Sequence, residues 1–402
     1  MSLPPALLIG GDQMAVSAAR SIAALGVEIH AVGDPEDPIQ SSRACTSFTT
    51  IPHDQEMGDH YLEWLERGPR GAVLLPCDDE SLEVVARNRP LLEDWGYRPV
   101  EANDEVLLAM LDKERTYELS RAAGVPTPQT MTLRTRRDAE EAAQTFAYPC
   151  ALKPLSSHRF AQLVGVAAKV YVAADADELF RWFGVAGEMG IEMLATEIIP
   201  GNDEAFCSYY SYILPDGSPL FHFTKHKLRQ LPIGFGLTCY QESVWDPAVA
   251  EMGLRFFRAV GLRGVGNVEF KHDARDGTWK LIECNHRFTL ANEIVRLAGI
   301  DIPAIAYRRC AGLPITPVTG YRLGVRMWNP IEDAQSLLQY RAAGELTFGE
   351  WVRSLVCRWH FPLWRLDDPM PTLRRVVRFR VPGLMRSLVR RMRARIGGGA
   401  GP

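Results

Sequence analysis

The sequence has no C-x-x-C motif, no basic segment ahead of an apolar run at its start, and no apolar stretch of membrane-spanning length. Its eight cysteines stand singly, which favours reduced thiols. The opening residues MSLPPALLIGG lack the basic region of a secretory signal and instead predict a strand followed by a turn. The apolar run YYSYIL ends at LPDGSP, far short of the ~20 residues that span a bilayer. We therefore expect a cytoplasmic protein without a transmembrane helix.

A strong net charge is also missing. The formal charge is −4 over 402 residues, so the chain as a whole does not attract nucleic acid, and we expect no nucleic-acid partner. Hydrophobic residues make up 47% of the chain and charged residues 23%, which is typical of a soluble protein. The length allows two or three domains, and no internal repeat of roughly 20 to 50 residues is visible.

The dinucleotide fingerprint G-x-G-x-x-G is absent too, because Asp12 stands where the motif needs glycine. The segment PALLIGGD instead predicts a short strand and a tight turn, and a helix-period segment follows it. The range 72–88, AVLLPCDDESLEVVARN, repeats this order, which predicts an α/β domain with parallel strands over residues 1–110. The glycine turn is either a plain strand-to-helix turn or a ligand loop. Asp78 and Asp79 either cap a helix or contact a substrate.

The middle of the chain has a different pattern. After residue 111 a helix closed by Gly124 leads into short strands such as YPCALKP and AKVYVA, which predict an α+β region with antiparallel strands. Beyond Pro314 the sequence becomes irregular, and its end, PTLRRVVRFRVPGLMRSLVRRMRARIGGG, is rich in arginine. This tail predicts a basic amphipathic helix. The helix is either a solvated face, a partly disordered tail, or a segment that docks on a membrane surface or an acidic partner.

The stretch GVGNVEFKHDARDGTWKLIECNHRF, residues 264–288, predicts a β-hairpin with its turn at RDG. In this hairpin Glu269 lies roughly opposite Glu283, and the two-residue period places Asn285 and Arg287 on the face of Glu283. Facing carboxylates repel each other, and neutralising one by raising its pKa costs ~1.4 kcal/mol per unit. A divalent cation between them removes both problems.

Two interpretations of the hairpin remain open. Glu269, Glu283 and Asn285 are all oxygen ligands, and Mg²⁺ typically takes one or two carboxylates together with substrate phosphates and water. The first interpretation is therefore a metal site beside a nucleotide. In the second, each glutamate pairs with a nearby cation on a solvent-exposed face. The candidate cations are Lys271, Lys280 and Arg287.

Two lysines stand where a bound anion would explain them. Lys153 ends the apolar strand ALKP, and its compact ammonium group suits a phosphate. Lys113 begins a helix, where the helix dipole disfavours a cation unless an anion is near. A surface lysine is the alternative for either residue.

Two further segments carry polar groups at strand ends or faces. The segment TEIIPGNDEAF, residues 196–206, can offer backbone groups to a purine edge and a carboxylate to ribose hydroxyls, or its acids are simple turn and capping residues. In KHKLRQL a period of two places three cations on one strand face. They either attract an anionic substrate or the triphosphate, or line a solvated face. These cations are Lys225, Lys227 and Arg229.

Taken in order, the motifs DK, AGVPTP, ALKP, EIIPG, GVGNVEF and ECNHR resemble those of the ATP-grasp superfamily, and most closely its carboxylate–amine ligase-like members. The resemblance covers residues 5–315. It implies an ATP site clamped between two α+β subdomains, where ATP phosphorylates a carboxylate and an amine then attacks the acyl phosphate. The implied cofactors are ATP and Mg²⁺ or Mn²⁺, and the implied partners are a small-molecule carboxylate and a small-molecule amine.

The resemblance also implies individual roles, with Arg287 and Lys153 as the catalytic residues. The residues concerned are the phosphate lysines Lys113 and Lys153, the adenine-binding connector Glu197 with Ile199, the ribose acid Glu204, the metal ligands Glu269, Glu283 and Asn285, and the acyl-phosphate arginine Arg287.

Two positions depart from the family pattern. After Lys153 the family commonly has a glycine-rich loop whose amides cover the phosphates, whereas this chain reads PLSSHRFAQLVG with Gly165 as its only glycine. The polar side chains 156–159 either replace those amides, or the loop covers ATP poorly. His286 stands where the family often has proline, and it is either a packed residue or a base.

We therefore predict an α/β N-terminal domain of the pre-ATP-grasp, Rossmann-like type at 1–110 and an α+β ATP-grasp fold with two subdomains. The small subdomain is expected at 111–196, the large metal-binding subdomain at 197–318, and a basic C-terminal extension at 319–402. The predicted function is ATP-dependent ligation of a carboxylate to an amine in the cytoplasm, with peripheral membrane contact through the tail as an option. The alternatives are another acyl-phosphate chemistry, such as carboxylation or thioester formation, or a non-catalytic nucleotide-binding regulatory or scaffold protein.

Overall fold

The computed structural model describes residues 3–52, 54, 56–155, 170–316 and 318–377. They form three sheets with helices packed around them. All eight cysteines are free thiols, as the sequence predicts. Within the described ranges no helix combines the length and apolar character needed to cross a membrane.

The N-terminal sheet has five parallel strands in the order β3-β2-β1-β4-β5. The strands are β1 (Ala6–Ile9), β2 (Ile29–Gly33), β3 (Ser47–Thr50), β4 (Val73–Pro76) and β5 (Arg98–Pro99). The helices are α1 (Asp12–Ala23), α2 (Met57–Arg67), α3 (Asp79–Arg87), α4 (Arg89–Asp94) and α5 (Asp104–Met110), with a 3-10 turn at Pro38–Ser41. Every residue of β1 and β4 is buried, because apolar side chains pack against both faces of the sheet. This explains why these strands are unbroken apolar runs.

The second sheet has four antiparallel strands in the order β6-β9-β7-β8. The strands are β6 (Thr130–Leu133), β7 (Cys150–Pro154), β8 (Tyr171–Ala173) and β9 (Met193–Glu197). The helices of this region are α6 (Lys113–Ala122), α7 (Arg136–Thr145) and α8 (Ala176–Glu188). Helices α7 and α8 pack on one face through a small apolar cluster. Strand β7 lies in the interior of this sheet, and Lys153 is next to its last residue.

The third sheet has six antiparallel strands in the order β14-β13-β10-β11-β12-β15. The strands are β10 (Phe206–Ile213), β11 (Phe223–Leu231), β12 (Leu237–Val244), β13 (Gly264–Asp273), β14 (Thr278–Asn285) and β15 (Arg326–Trp328), and a 3-10 turn at Asp203–Ala205 precedes them. The first helix of this region is α9 (Pro247–Val260), which covers one face of the sheet. Gly253 in α9 admits Tyr209 so closely that a Cβ there would lie 2.4 Å from the ring. The opposite face carries polar side chains.

The chain after β14 packs back onto both larger sheets. Its helices are α10 (Asn292–Ala298), α11 (Ile302–Cys310), α12 (Pro330–Ala342), α13 (Phe348–Ser354) and α14 (Met370–Arg375). The range 319–402, expected to be an extension, contributes β15 to the large sheet. Helix α14 packs on the 3-10 turn of the N-terminal domain. The predicted basic helix at 384–395 lies outside the described residues.

Candidate active site

The predicted hairpin is confirmed, with β13 and β14 joined by a turn at 274–277. Glu269 lies directly opposite Glu283, and Asn267 lies opposite Asn285. The register shifts after Glu269, so β14 bulges at one residue there. The residues that alternate with these, such as Val268, pack toward α9. The two carboxylates and the amide of Asn285 therefore share the polar face of the large sheet.

Glu269 has a cationic partner from another strand. The Nζ of Lys227 donates to its Oε1 at 3.0 Å, and the Oγ of Ser208 donates to its Oε2 at 3.4 Å. Burial opposes ionisation of Glu269, but the ammonium groups of Lys227 and Lys225 outweigh burial and lower its pKa. Glu283 differs, because no hydrogen bond or ion pair reaches its carboxylate from the residues that the structure describes. The facing pair is thus neutralised on one side alone.

The cations that the sequence analysis offered as partners of the glutamates bind elsewhere. Their partners are the carbonyl of Gly201 for Lys271 at 2.9 Å, Asp273 for Lys280 at 2.6 Å, and Asp79 for Arg287. The interpretation in which these three cations neutralise Glu269 and Glu283 is therefore wrong. Glu269 is half-buried on β13, whereas Glu283 on β14 is exposed, so a solvent-exposed position is found for Glu283 and not for Glu269.

Two further ammonium groups lie close to the glutamates. Lys153 on β7 is near enough to interact electrostatically with both Glu283 and Glu269; burial lowers its pKa, and the two carboxylates act in the opposite direction. Lys225 lies opposite Ser208, which in turn lies opposite Glu269, so the three residues form a row across neighbouring strands. Burial lowers the pKa of Lys225 to about 8, although Glu269 raises it. The small and large sheets therefore meet at a cluster of opposite charges.

Lys113 reaches the same strand end as Lys153. Its Nζ donates to the carbonyl of Pro154 at 3.0 Å and to that of Leu155 at 3.5 Å. The two lysines that the resemblance assigns to phosphate thus both lie at the end of β7. The glycine-poor loop that follows, residues 156–165, lies outside the described residues.

The connector after β9 is partly held by the protein itself. The carboxylate of Glu197 accepts a hydrogen bond from the Arg275 guanidinium. It also accepts one from the backbone N–H of Gln129 at 3.2 Å. Ile199 is buried and Glu204 is exposed. The side chain of Glu197 is therefore engaged by the protein, whereas the carboxylate of Glu204 faces solvent.

Asp203, beside Glu204, is a structural acid. It is buried and accepts a hydrogen bond from Nε2 of Gln230 at 2.5 Å and another from the hydroxyl of Tyr340. It also accepts the backbone N–H of Gly234 at 3.2 Å. Asp203 therefore fits the alternative of a turn acid and ties the connector to α12.

Arg287 links the hairpin to the N-terminal domain. Its guanidinium forms an ion pair with Asp79 at the start of α3. Burial lowers the pKa of Arg287, but Asp79 and the nearby Glu283 outweigh it, so the net shift is upward. Asp78, the preceding residue, caps α3 by accepting the backbone N–H of Ser81 at 2.8 Å. The Arg287–Asp79 pair could not be predicted from local sequence patterns, because 208 positions separate the two residues.

The alternatives left open for the cations of β11 and for His286 can also be compared with the structure. Arg229 was grouped with Lys225 and Lys227, but a register shift between Lys227 and Arg229 turns it toward Asp333, which accepts from Nε at 2.6 Å. All three cations are buried, so the alternative of a solvated strand face is wrong. His286 is buried and burial lowers its pKa to about 4, which fits the packed residue and not a base.

Known proteins resemble this chain in sequence. A D-aspartate ligase from Enterococcus faecium is 24% identical over 244 residues, which is 57% of this chain and 56% of the relative. A D-alanine–D-alanine ligase from Stutzerimonas stutzeri is 27% identical over 200 residues, which is 48% of this chain and 61% of the relative. The chain thus spans less than two thirds of the length of these curated relatives. No family model matches it.

Solved structures share the fold. N5-carboxyaminoimidazole synthetase from Staphylococcus aureus complexed with ADP superposes with a TM-score of 0.64 at 15% identity, covering 86% of this chain and 87% of that chain. The biotin carboxylase domain of 2-oxoglutarate carboxylase from Hydrogenobacter thermophilus, in complex with MgADP and bicarbonate, gives 0.62 at 18% identity, covering 81% and 74%. These solved structures share the fold of this chain, and the two ligases resemble it in sequence.

Proposed function

We propose that this protein is an ATP-dependent ligase that joins a small-molecule carboxylate to an amine through an acyl phosphate, releasing ADP and phosphate. The proposal is supported by the names of the relatives, which are D-aspartate ligase and D-alanine–D-alanine ligase. It is also supported by ADP and MgADP in the structural neighbours. The proposed product is an amide or a peptide. The free thiols and the requirement for ATP favour a cytoplasmic location.

The observation that carries the proposal is the pairing of Glu269 with Glu283 beside Asn285. Three oxygen-bearing side chains share one face, and neither Glu283 nor Asn285 has a hydrogen-bonding side-chain partner among the described residues. Such a donor set suits Mg²⁺, which prefers carboxylate and amide oxygens together with substrate phosphates; Mn²⁺ has similar preferences. We assign these three residues as metal ligands. The bound metal would neutralise charge on the phosphates.

The nucleotide is assigned to the space between the small and large sheets. Lys113 and Lys153 at the end of β7 would hold its phosphates, because a compact ammonium group is a suitable partner for them. The connector would bind adenine through the backbone of Glu197 and Ile199, since the carboxylate of Glu197 is already engaged. Glu204 is exposed and would accept from the ribose hydroxyls.

In this assignment the protein contributes mainly positioning and charge. The carboxylate substrate attacks the γ-phosphorus, and Lys153 neutralises charge on the phosphoryl group in transit. Arg287, held in place by Asp79, would then donate to the acyl phosphate while the amine approaches its carbonyl carbon. The C–N bond forms, the C–O bond to phosphate breaks, and the amine gives up protons. Closure of the site would exclude the water that hydrolyses acyl phosphates.

The remaining domains receive assignments on the same basis. We propose that the parallel N-terminal sheet is a Rossmann-like, pre-ATP-grasp domain that supplies part of the substrate site, because Asp79 reaches the hairpin. The basic tail beyond residue 377 is proposed as a contact for a membrane surface or an acidic partner, on the strength of its arginine content alone.

The proposal is tested by measuring phosphate release from ATP by the purified chain across amino acids and amines, singly and in pairs. Hydroxylamine in place of the amine traps an acyl phosphate as a hydroxamate, and identification of the product by mass spectrometry separates amide formation from carboxylation or thioester formation. We expect Glu283→Gln to abolish ADP release, because the substitution removes one of the two negative charges that would hold the cation, while the thermal midpoint stays unchanged. Glu251→Gln, on the surface of α9 beside Arg255, is the matched control and should keep full activity. Full activity in Glu283→Gln would contradict the metal assignment.

A further inference from the structure

Three aspartates gather at the carboxyl ends of the N-terminal parallel strands. Asp12 follows β1, Asp37 follows β2 and Asp78 follows β4; we call them the aspartate cluster. Arg375 of α14 donates to both oxygens of Asp12, at 2.8 and 2.7 Å. Within the described part of the chain no ion pair is made by Asp37 or Asp78, and both interact electrostatically as like charges. Arg287 is near enough to favour the ionised form of Asp78 without an ion pair, so the three carboxylates outnumber the cations that are paired with them.

Glycines at the strand ends make room for the two unpaired carboxylates. A Cβ on Gly10 would lie 1.9 Å from Oδ2 of Asp78, and a Cβ on Gly33 would lie 2.1 Å from Oδ2 of Asp37. Gly10 also has φ of +65°, which favours glycine. The carboxylate of Asp37 accepts a hydrogen bond from the backbone N–H of Asp34 at 2.9 Å. The carboxylates thus stand directly over the ends of β1 and β2.

A buried phenol points into the same place. Tyr61 is fully buried, and its hydroxyl has no hydrogen-bond partner among the described residues. That hydroxyl lies 2.9 Å from the Cβ position of Gly10, which is also the position beside Oδ2 of Asp78. After burial itself, the charges of Asp78 and Asp37 are the strongest influences on this phenol. A buried hydroxyl without a partner is destabilising, so its position beside two carboxylates points to a ligand that all three groups would share.

The shape of the cluster selects the kind of cation. A metal ion needs three or more ligand atoms around one point, and the three aspartates do not each bring an oxygen within 4.8 Å of the others. Among the described Asp, Glu, His and Cys residues, Cys207, His226 and Asp246 form the one group with that spacing. An alkylammonium group instead carries three N–H donors spread around one nitrogen, which suits separate acceptors. Two carboxylates and a phenol oxygen supply them.

We propose that the aspartate cluster binds the ammonium group of the amine substrate, an assignment that rests on the proposed ligase function. The cluster adjoins the reaction site, because Asp79 directly follows Asp78 and holds Arg287. Two unpaired carboxylates would repel a carboxylate attached beside the nitrogen. The substrate class is therefore a primary alkylamine whose nitrogen is remote from any carboxylate, such as the end of an aliphatic diamine or a basic side chain.

The protonation of Asp37 gives the site a pH dependence. Burial, together with the charges of Asp12 and Asp78, raises the pKa of Asp37 to about 8. A bound ammonium group favours the ionised form, so binding releases the proton that Asp37 carries below pH 8. The charged and titratable groups that face Asp37 are Asp12, Asp34 and Asp78, the phenol of Tyr61, the thiol of Cys77, and, from α14, Arg374 and Arg375.

The probe is 1,4-diaminobutane, titrated into the nucleotide-free full chain by calorimetry, with 1,4-butanediol as the uncharged comparison. We expect the diamine to bind and the diol not to bind. Asp37→Asn should weaken diamine binding at least tenfold, and Asp216→Asn, an exposed turn acid, should leave it unchanged. For the wild type the Kd should fall about tenfold per pH unit up to about pH 8 and then level off, whereas Asp37→Asn should show no such slope.

Tyr61→Phe is the second variant, because it keeps the ring and removes only the unpartnered hydroxyl. Its thermal midpoint should not fall, while the diamine Kd should rise several-fold. Equal diamine affinity in the wild type, Asp37→Asn and Tyr61→Phe would overturn the site. If the chain releases phosphate with an amine but shows that equality, the ligase function stands and the site fails. If the diamine binds through Asp37 but no amine supports phosphate release, the assignment of the site to a ligase substrate is overturned.

Discussion

Replacing Asp333 by alanine tests how the C-terminal helices are fixed to the large sheet. The carboxylate of Asp333 is fully buried and accepts from Nε and Nη2 of Arg229 at 2.6 and 3.0 Å. It also accepts from the indole N–H groups of Trp328 at 2.9 Å and Trp351 at 2.7 Å. One side chain on α12 therefore joins β11, β15 and α13.

The magnitude follows from what the substitution leaves behind. Removing one partner of a buried ion pair costs ~3–5 kcal/mol, because the other charge stays buried and uncompensated. Each of the two indole N–H groups left without an acceptor adds roughly 1 kcal/mol. Since these losses are not fully additive, we expect Asp333→Ala to lower the free energy of unfolding by about 4–6 kcal/mol. Asp333→Asn keeps one acceptor and the shape, so its loss should be smaller.

Urea unfolding followed by tryptophan fluorescence measures the change, because two of the affected indoles report on the site directly. The matched control is Asp367→Ala, which removes an exposed ion pair with Arg365 at 3.0 Å and should cost at most ~1 kcal/mol. The double variant Asp333→Leu with Arg229→Met removes both charges and should recover much of the loss. A loss below about 1 kcal/mol in Asp333→Ala would refute the reasoning, since a buried guanidinium would then tolerate the absence of its partner.

Two further predictions follow from buried charges. Lys153→Ala should weaken ATP binding roughly 10- to 100-fold in calorimetry, the equivalent of one charge-assisted hydrogen bond. The control is Lys280→Ala, because the ammonium group of Lys280 is bound by Asp273. Unchanged ATP affinity in Lys153→Ala would contradict a role in phosphate binding. Asp37→Asn should stabilise the chain increasingly as the pH rises from about 4 to about 8, because the folded state holds a proton on Asp37 that the unfolded state has lost. Thermal midpoints of the two proteins across this range check the sign, and a gap that narrows toward pH 8 would contradict it.

The hairpin and its facing glutamates could be predicted because both depend on local rules. A strand has a period of two and the turn residues fix the register, so Glu269 and Glu283 had to be near each other. The parallel N-terminal strands were equally accessible, since ALLI and VLLP are apolar throughout and only a sheet covered on both faces buries every residue.

The partners of the charged residues could not be predicted in this way. Lys227 reaches Glu269 across an intervening strand, and its neighbour Arg229 turns away because of a register shift that no residue type announces. Arg287 meets Asp79 in another domain. Sequence separation and chain topology decide these contacts, and neither is visible in the pattern of residue types.

The lysines around the glutamate pair explain how the chain holds two facing carboxylates before any metal or nucleotide arrives. Lys227 neutralises Glu269, and Lys153 and Lys225 add positive charge nearby, each at the cost of its own burial. Such buried ammonium groups gain from an anion, since a phosphate offers them oxygen acceptors in place of lost water. A metal ion taken up by the glutamates would free Lys227 for that anion. The ammonium groups that balance the two glutamates within the protein are thus the same groups that a metal–nucleotide complex would use.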